Sequence, residues 1–206
     1  LYMNTQHAVY PDLEGKTVLI SGGASGIGEF MVRAFAAQGS KVGFVDRAQS
    51  QGERLAALLS SRGHTVEFVN CDITDEIAYK AAIGRFEHSL GPISVLVNNA
   101  ANDARHTLEE VDSEMFDRLI AVNLKHAFFA AKAVVPMMKS AGGGAIINLG
   151  SVGWMMASAG YPVYAASKAA AHGMTRALAR ELGPSRIRVN TLVPGWVMTE
   201  KQRVMW

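Results

Sequence analysis

Ser21-Gly22-Gly23-Ala24-Ser25-Gly26-Ile27-Gly28 is the stretch whose reading decides the fold. It follows the β-branched run that begins at Thr17, and it leads into a segment with Phe30, Val32 and Phe35 at helical spacing. Glycines here let the backbone turn sharply and lie close to a bulky anion. The first turn of the helix that follows offers unpaired N–H groups and the positive end of its dipole. A pyrophosphate fits that chemistry, with Gly22, Gly26 and Gly28 as the structural trio and Ser25 and Ile27 as contacts. Glycine-rich turns also serve as plain turns and caps, so the placement between strand and helix carries the argument.

Further along the chain, short apolar runs at 17–21, 41–45, 65–70, 94–98, 145–149 and 187–193 are predicted strands. Helical periodicity occupies 26–38, 50–61, 75–89, 112–139 and 161–182. Strict alternation of strand and helix requires crossover connections, hence a parallel sheet with helices on both faces: a doubly wound α/β fold of the Rossmann type. With 206 residues, 49% of them hydrophobic, one core and one domain are expected, over 15–206, behind residues 1–14, which are expected to be a loose N-terminal tail or partly an expression remnant.

The charge balance excludes some partners. Lys plus Arg at 20 against Asp plus Glu at 18 leaves +2, without a dense basic block, so no nucleic-acid partner is expected. No apolar run approaches the ~20 residues of a membrane span, and the N-terminus lacks a signal-peptide pattern. A soluble, cytoplasmic protein without membrane contact is the expectation. Cys71 is the single cysteine, with no neighbours at metal-ligand spacing, so neither a disulfide nor a metal site is anticipated.

Asp46 ends the second predicted strand, about 20 residues beyond the glycine turn, where a carboxylate accepts hydrogen bonds from both adenosine-ribose hydroxyls. Its charge opposes a 2′-phosphate, which favours NAD over NADP; Arg47 beside it works partly the other way. Asp46 as a simple loop cap is the alternative.

Tyr164 and Lys168 stand four positions apart on a predicted helix and so share a face. A free phenol is a poor base at neutral pH, and the neighbouring Lys168 ammonium is expected to bias Tyr164 toward phenolate. Ser151 follows the fifth strand, 13 positions before Tyr164, at the carboxyl edge where such sheets hold ligands. Asn123 is an amide among apolar residues that needs hydrogen-bond partners, a proton-relay water among the candidates. A Y-x-x-x-K pair alone is commonly a surface pairing; the order of glycine turn, Asp46, Asn123, Ser151, Tyr164 and Lys168 is what a hydride-transfer site requires.

From about Gly15 onward the sequence resembles the short-chain dehydrogenase/reductase family, on the glycine turn, Asp46, Asp72, Asn98 to Ala101, Asn123, Ser151, Tyr164, Lys168, and Pro194-Gly195 with Thr199. The resemblance implies a nicotinamide cofactor, with Asp72, flanked by Cys71 and Ile73, against the adenine, and Asn98 and Ala100 in the cofactor pocket. It also implies that the segment from Pro194 and Gly195 packs on the nicotinamide, with Val197 and Thr199 meeting its carboxamide. Ala101 departs from the family's usual glycine, and a shifted loop is expected there.

A closer similarity, on 98–106, 147–154 and 194–206, is to bacterial sugar dehydrogenases of this family that oxidise an aldose at its anomeric carbon. Asn102, Asp103, Arg105 and His106 form a polar cluster suited to several hydroxyls, although each has an ordinary turn, surface or structural reading. Direct substrate contact is expected from Asn102 and Asp103, beside Ser151 and Tyr164, with Trp154 and Trp196 stacking on the sugar; Met155, Met156 and Trp206 are weaker candidates. The implied reaction takes the C1 hydroxyl of a cyclic monosaccharide to a lactone. Two alternatives stay open: another alcohol or ketone, such as a 3-oxoacyl thioester or steroid, and a non-catalytic NAD-binding regulator. Apolar residues on several faces of 112–139 and 161–182 suggest a homodimer or homotetramer. The family's usual length of about 250 residues suggests that a C-terminal part, with a substrate lid and a seventh strand, is missing, which would leave the sixth strand an open edge.

Overall fold

The computed structural model describes residues 8–205. Six strands, β1 Thr17–Ser21, β2 Lys41–Asp46, β3 Val66–Asn70, β4 Ile93–Asn98, β5 Gly144–Leu149 and β6 Ile187–Leu192, pair in parallel in the order β3-β2-β1-β4-β5-β6. The order reverses between β1 and β4, and doubly wound sheets bind ligands in the crevice at that switch point, beyond the strand carboxyl ends.

The helices connecting the strands are α1 Gly26–Ala37, α2 Gln49–Ser60, α3 Glu76–Leu90, α4 Ser113–Ile120, α5 His126–Ser140, a short α6 Val152–Met155 and α7 Pro162–Leu182, and α8 Glu200–Met205 follows β6. Side-chain caps set three of the starts: Asp75 accepts from the N–H groups of Ile77 and Ala78, Asp112 from that of Met115, and Ser151 from that of Gly153. Two apolar layers fill the space between sheet and helices. Leu19, Phe86, Leu96, Val134 and Ile146 belong to one; Val18, Ile20, Val32, Phe44 and Val97 belong to the other. Near-continuous burial along β1 is what a strand covered on both faces requires.

Three expectations are revised. Residues 8–14 are not loose, because Tyr10 N donates to Gln38 Oε1, Gln38 Nε2 to Ala8 O and Ser40 Oγ to Leu13 O, which tie them to the end of α1; residues 1–7 and Trp206 lie outside the described part. The helix predicted at 112–139 is not uniform: Ala121–Lys125 between α4 and α5 is π-helical. Taken as one helix, Ser113–Ser140 is also long and apolar enough to cross a membrane by length and composition. Val134 and Met138 on it are nonetheless fully buried in the core beside β4 and α3, as in a core helix.

Candidate active site

A cleft of about 1780 Å³ runs along the carboxyl edge of the sheet. Gly22, Ser25, Gly26, Ile27 and Gly28 line its floor. Gly22 and Gly26 hold φ of +69° and +56°, a conformation costly for any residue with a Cβ. A Cβ on Gly28 would overlap the Gly22 carbonyl oxygen, so the turn closes only with glycine there. This cradle, open at the N-terminus of α1, fits a dinucleotide pyrophosphate.

Asp46, Arg47, Cys71, Asp72 and Ile73 line one end of the same cleft. The Asp46 carboxylate also braces the turn: Oδ2 accepts from Ala24 N and Oδ1 from Ala48 N, each at 3.0 Å, so it is a loop cap as well as part of the cleft wall. Each oxygen keeps a second acceptor position. Burial pushes the Asp72 carboxyl up, but hydrogen bonds from Thr74 and the Arg47 guanidinium at 3.5 Å outweigh it and hold the carboxyl low. Burial, then the nearby Asp72, raise the Cys71 thiol to about 11, so it stays an unreactive thiol.

Two asparagines divide the work at the end of β4. Asn98 does not line the cleft; its Nδ2 donates to Asn148 Oδ1 at 2.8 Å, and Asn148 Nδ2 to Thr175 Oγ1, a buried polar bridge from β4 through β5 to α7. Asn99, absent from the expected set, lines the cleft and donates from Nδ2 to the carbonyls of Ser21 and Gly22 at 2.9 Å each, locking the glycine turn to β4. The doubled Asn98-Asn99 was the available signal. Ala100 lines the cleft as expected. Ala101 has no positive φ, so its methyl is accommodated without strain.

Ser151, Tyr164 and Lys168 converge on the cleft. Ser151 caps α6 by accepting from Gly153 N, and its hydroxyl shares a hydrogen bond with the Tyr164 phenol. Lys168 is 3% exposed; its Nζ donates to Leu149 O at 2.6 Å and lies 5.6 Å from the centre of the Tyr164 ring. Burial lowers the Lys168 ammonium to about 8, against an opposing pull from Asp103. The expected lysine bias on the phenol is therefore not the dominant influence without ligand. Burial pushes the Tyr164 phenol up, the Ser151 hydrogen bond pulls it down, and the Asp103 carboxylate adds to the rise.

Asn123 sits in the π-helical turn, where both amide atoms are taken by the backbone of one residue: Oδ1 accepts from Asn102 N at 2.8 Å and Nδ2 donates to Asn102 O at 3.0 Å. Its side chain anchors the 102–106 loop through these two bonds. The extra residue of a π-turn is what aims it there. His126, three residues on and absent from the expected set, is buried beside Lys168; burial first, then the Lys168 charge, drive its imidazole down to about 3, so it is neutral.

Asn102 and Asp103 line the cleft near Tyr164, and Arg105 joins them. His106 instead turns inward: its Nε2 accepts from Val163 N at 3.3 Å and its Nδ1 bonds Ala104 O at 2.9 Å, so it caps α7 from the opposite loop. Trp154 does not line the cleft either; its indole packs edge-on against His172 with ring centres 5.1 Å apart. Pro194, Gly195, Val197 and Thr199 line the cleft, with Trp196, 64% exposed, at its mouth. Val152 N holds Pro194 O, and Thr199 lies against Gly26.

The short chain dehydrogenase profile matches residues 16–205. Over 205 residues the chain is 41% identical to "Probable galactose dehydrogenase GalD" of Rhizobium meliloti (strain 1021), spanning 99% of this chain and 80% of that one. It is 45% identical over 195 residues to the D-xylose 1-dehydrogenase of Caulobacter vibrioides (strain NA1000 / CB15N), spanning 95% of this chain and 77% of the relative. Among solved structures, a gluconate 5-dehydrogenase from Burkholderia cenocepacia J2315, in complex with NADP and tartrate, superposes with a TM-score of 0.85 at 32% identity, covering 93% of this chain and 75% of that one. On profile, fold and identity together, the chain belongs to the short chain dehydrogenase family.

Proposed function

We propose that the protein oxidises the anomeric hydroxyl of a cyclic aldose to a lactone, with NAD as acceptor and preferred over NADP. The observation that carries this reading is the convergence of Ser151, Tyr164 and Lys168 with the polar Asn102 and Asp103 in one cleft beyond the glycine cradle. Similarity to relatives named for galactose and D-xylose supports the sugar, and Asp46, whose charge opposes a 2′-phosphate, supports NAD. The glycine turn with Asp46, Asp72 and Asn99 would hold the dinucleotide, and the 194–199 segment its nicotinamide end.

Bound NAD would accept the hydride from the substrate carbon. Ser151 orients the C1 hydroxyl, and Tyr164 takes its proton as the carbon–oxygen double bond forms. Lys168 supplies a buried cation that favours phenolate once the substrate has displaced water. Asn102, pinned by Asn123, and Asp103 offer acceptors and donors to the ring hydroxyls. The protein acts as a soluble cytoplasmic enzyme, and exposed Phe116 and Phe128 on the α4–α5 helix support assembly into a homodimer or homotetramer.

One observation favours a second reading. Met156, Trp196 and Met198, 61–68% exposed, make the mouth of the cleft apolar, which suits an apolar secondary alcohol. The test is NADH formation with a panel of aldoses against steroid and simple secondary alcohols, each with NAD and NADP. Aldose turnover highest with NAD supports the proposal; turnover confined to the apolar alcohols overturns the sugar, and equal efficiency with NADP overturns the coenzyme preference.

A further inference from the structure

Two loops that meet over the start of α7 carry an arrangement that the proton-transfer set does not use. The first is 102–106. Asn102 Oδ1 accepts from Ala104 N at 3.0 Å, a local turn whose apex residue is Asp103. The second is 156–161, which enters α7. His106 joins them: its N–H donates to Gly160 O at 2.9 Å and its imidazole caps Val163. Across this joint the Arg105 guanidinium lies 4.2 Å above the centre of the Tyr161 ring, and its Nη1 donates to Ala159 O at 3.4 Å. Tyr161 in turn stands edge-on to Tyr164, with ring centres 5.3 Å apart and planes at 88°.

We propose that Arg105 is a positioning residue for Tyr164: seated on Tyr161, it holds that ring edge-on against the reacting phenol and keeps a positive charge beside it, opposed by the Asp103 carboxylate of the same loop. The inference rests on Tyr164 being the proton acceptor. A guanidinium suits the place because it is flat, permanently charged and stacks on an aromatic face.

The groups that face the phenol are few. They are Asp103 and Arg105 from the 102–106 loop, Tyr161 and Lys168 from the α7 segment, and Ser151 after β5. Burial dominates the phenol's affinity for its proton; of the two loop charges, Asp103 raises it and Arg105 lowers it. Asp103 also favours the charged form of Lys168, so the loop acts on both members of the pair. One loop thus adjusts, on top of the larger effect of burial, the pH at which the base is ready, through two charges of opposite sign. Because Arg105 is exposed, salt screens its share.

The experiment is the pH titration of the Tyr164 tyrosinate signal, read as the ultraviolet difference between each protein and its Tyr164→Phe counterpart, alongside the pH profile of kcat. Arg105→Gln moves the midpoint to higher pH, Asp103→Asn moves it to lower pH, and Arg105→Lys restores most of the wild-type position. The Arg105→Gln shift shrinks at high salt. Midpoints that stay put, move in the same direction in the Gln and Asn variants, or fail to return in the Lys variant overturn the proposal. Tyr164→Phe separates the two levels. If it keeps wild-type turnover, the base assignment falls. If it is inactive while the Arg105 and Asp103 variants leave the titration unmoved, only this inference falls.

Discussion

Lys168→Met removes an ammonium that the fold buries almost completely, and the cost of holding it can be worked from its titration. The ammonium falls from 10.5 to about 8 in the folded protein, chiefly by desolvation. At about 1.4 kcal/mol per unit, the native state bears about 3 kcal/mol for carrying the charge at neutral pH. At 3% exposure no solvent discount applies. Methionine matches the apolar stem but leaves Leu149 O without its donor, a loss of about 1–2 kcal/mol. The variant should therefore be more stable by about 1–2 kcal/mol, a rise in Tm of roughly 2–8 °C for a chain of this size, while losing turnover. The pH dependence has a definite sign. Below pH 8 folded and unfolded chains both hold the proton, so the gap between the proteins is constant. Between about 8 and 10.5 the folded wild type releases the proton while its unfolded chain keeps it, so the wild type gains stability and the gap closes. Calorimetric melts of both proteins from pH 7 to 10.5 measure this. A variant that melts at or below the wild type at pH 7, or a gap that widens with pH, would refute the reasoning.

Gly28→Ala forces a methyl onto the Gly22 carbonyl, so NAD affinity, followed by calorimetric titration, should fall at least about tenfold, with about 1–3 kcal/mol of stability lost in denaturant melts. Asp46→Asn removes the charge that opposes a 2′-phosphate while keeping one acceptor for the turn; the ratio of NADP to NAD efficiency in kcat/KM should rise about tenfold or more. Asn123→Ala frees the Asn102 backbone from two hydrogen bonds, so KM for the sugar should rise about tenfold in steady-state assays while NAD affinity holds.

Much of this arrangement was legible in the sequence, for reasons that are local. Apolar runs marked β1 to β6, and the helical periods read from 75 and 112 begin at the residues that prove to cap α3 and α4. The glycine turn, Asp46 and the Tyr164–Lys168 spacing each depend on a few neighbouring residues. What escaped the reading depends on distant partners. The π-helical turn at 121–125 leaves the apolar period almost unchanged, yet it carries Asn123, which bonds the Asn102 backbone. His106 and Trp154 resembled pocket residues until tertiary contacts with Val163 and His172 turned them inward. Residues 8–14 read as a polar tail because their anchors, Gln38 and Ser40, lie at the far end of α1.

Single-turnover oxidation of an aldose by Tyr164→Phe, with NAD binding measured in parallel, tests the central claim most directly. A phenol that takes the substrate proton requires turnover to fall by about 10²–10⁴ while NAD affinity stays within about twofold. Turnover at the wild-type rate with NAD affinity intact would contradict it.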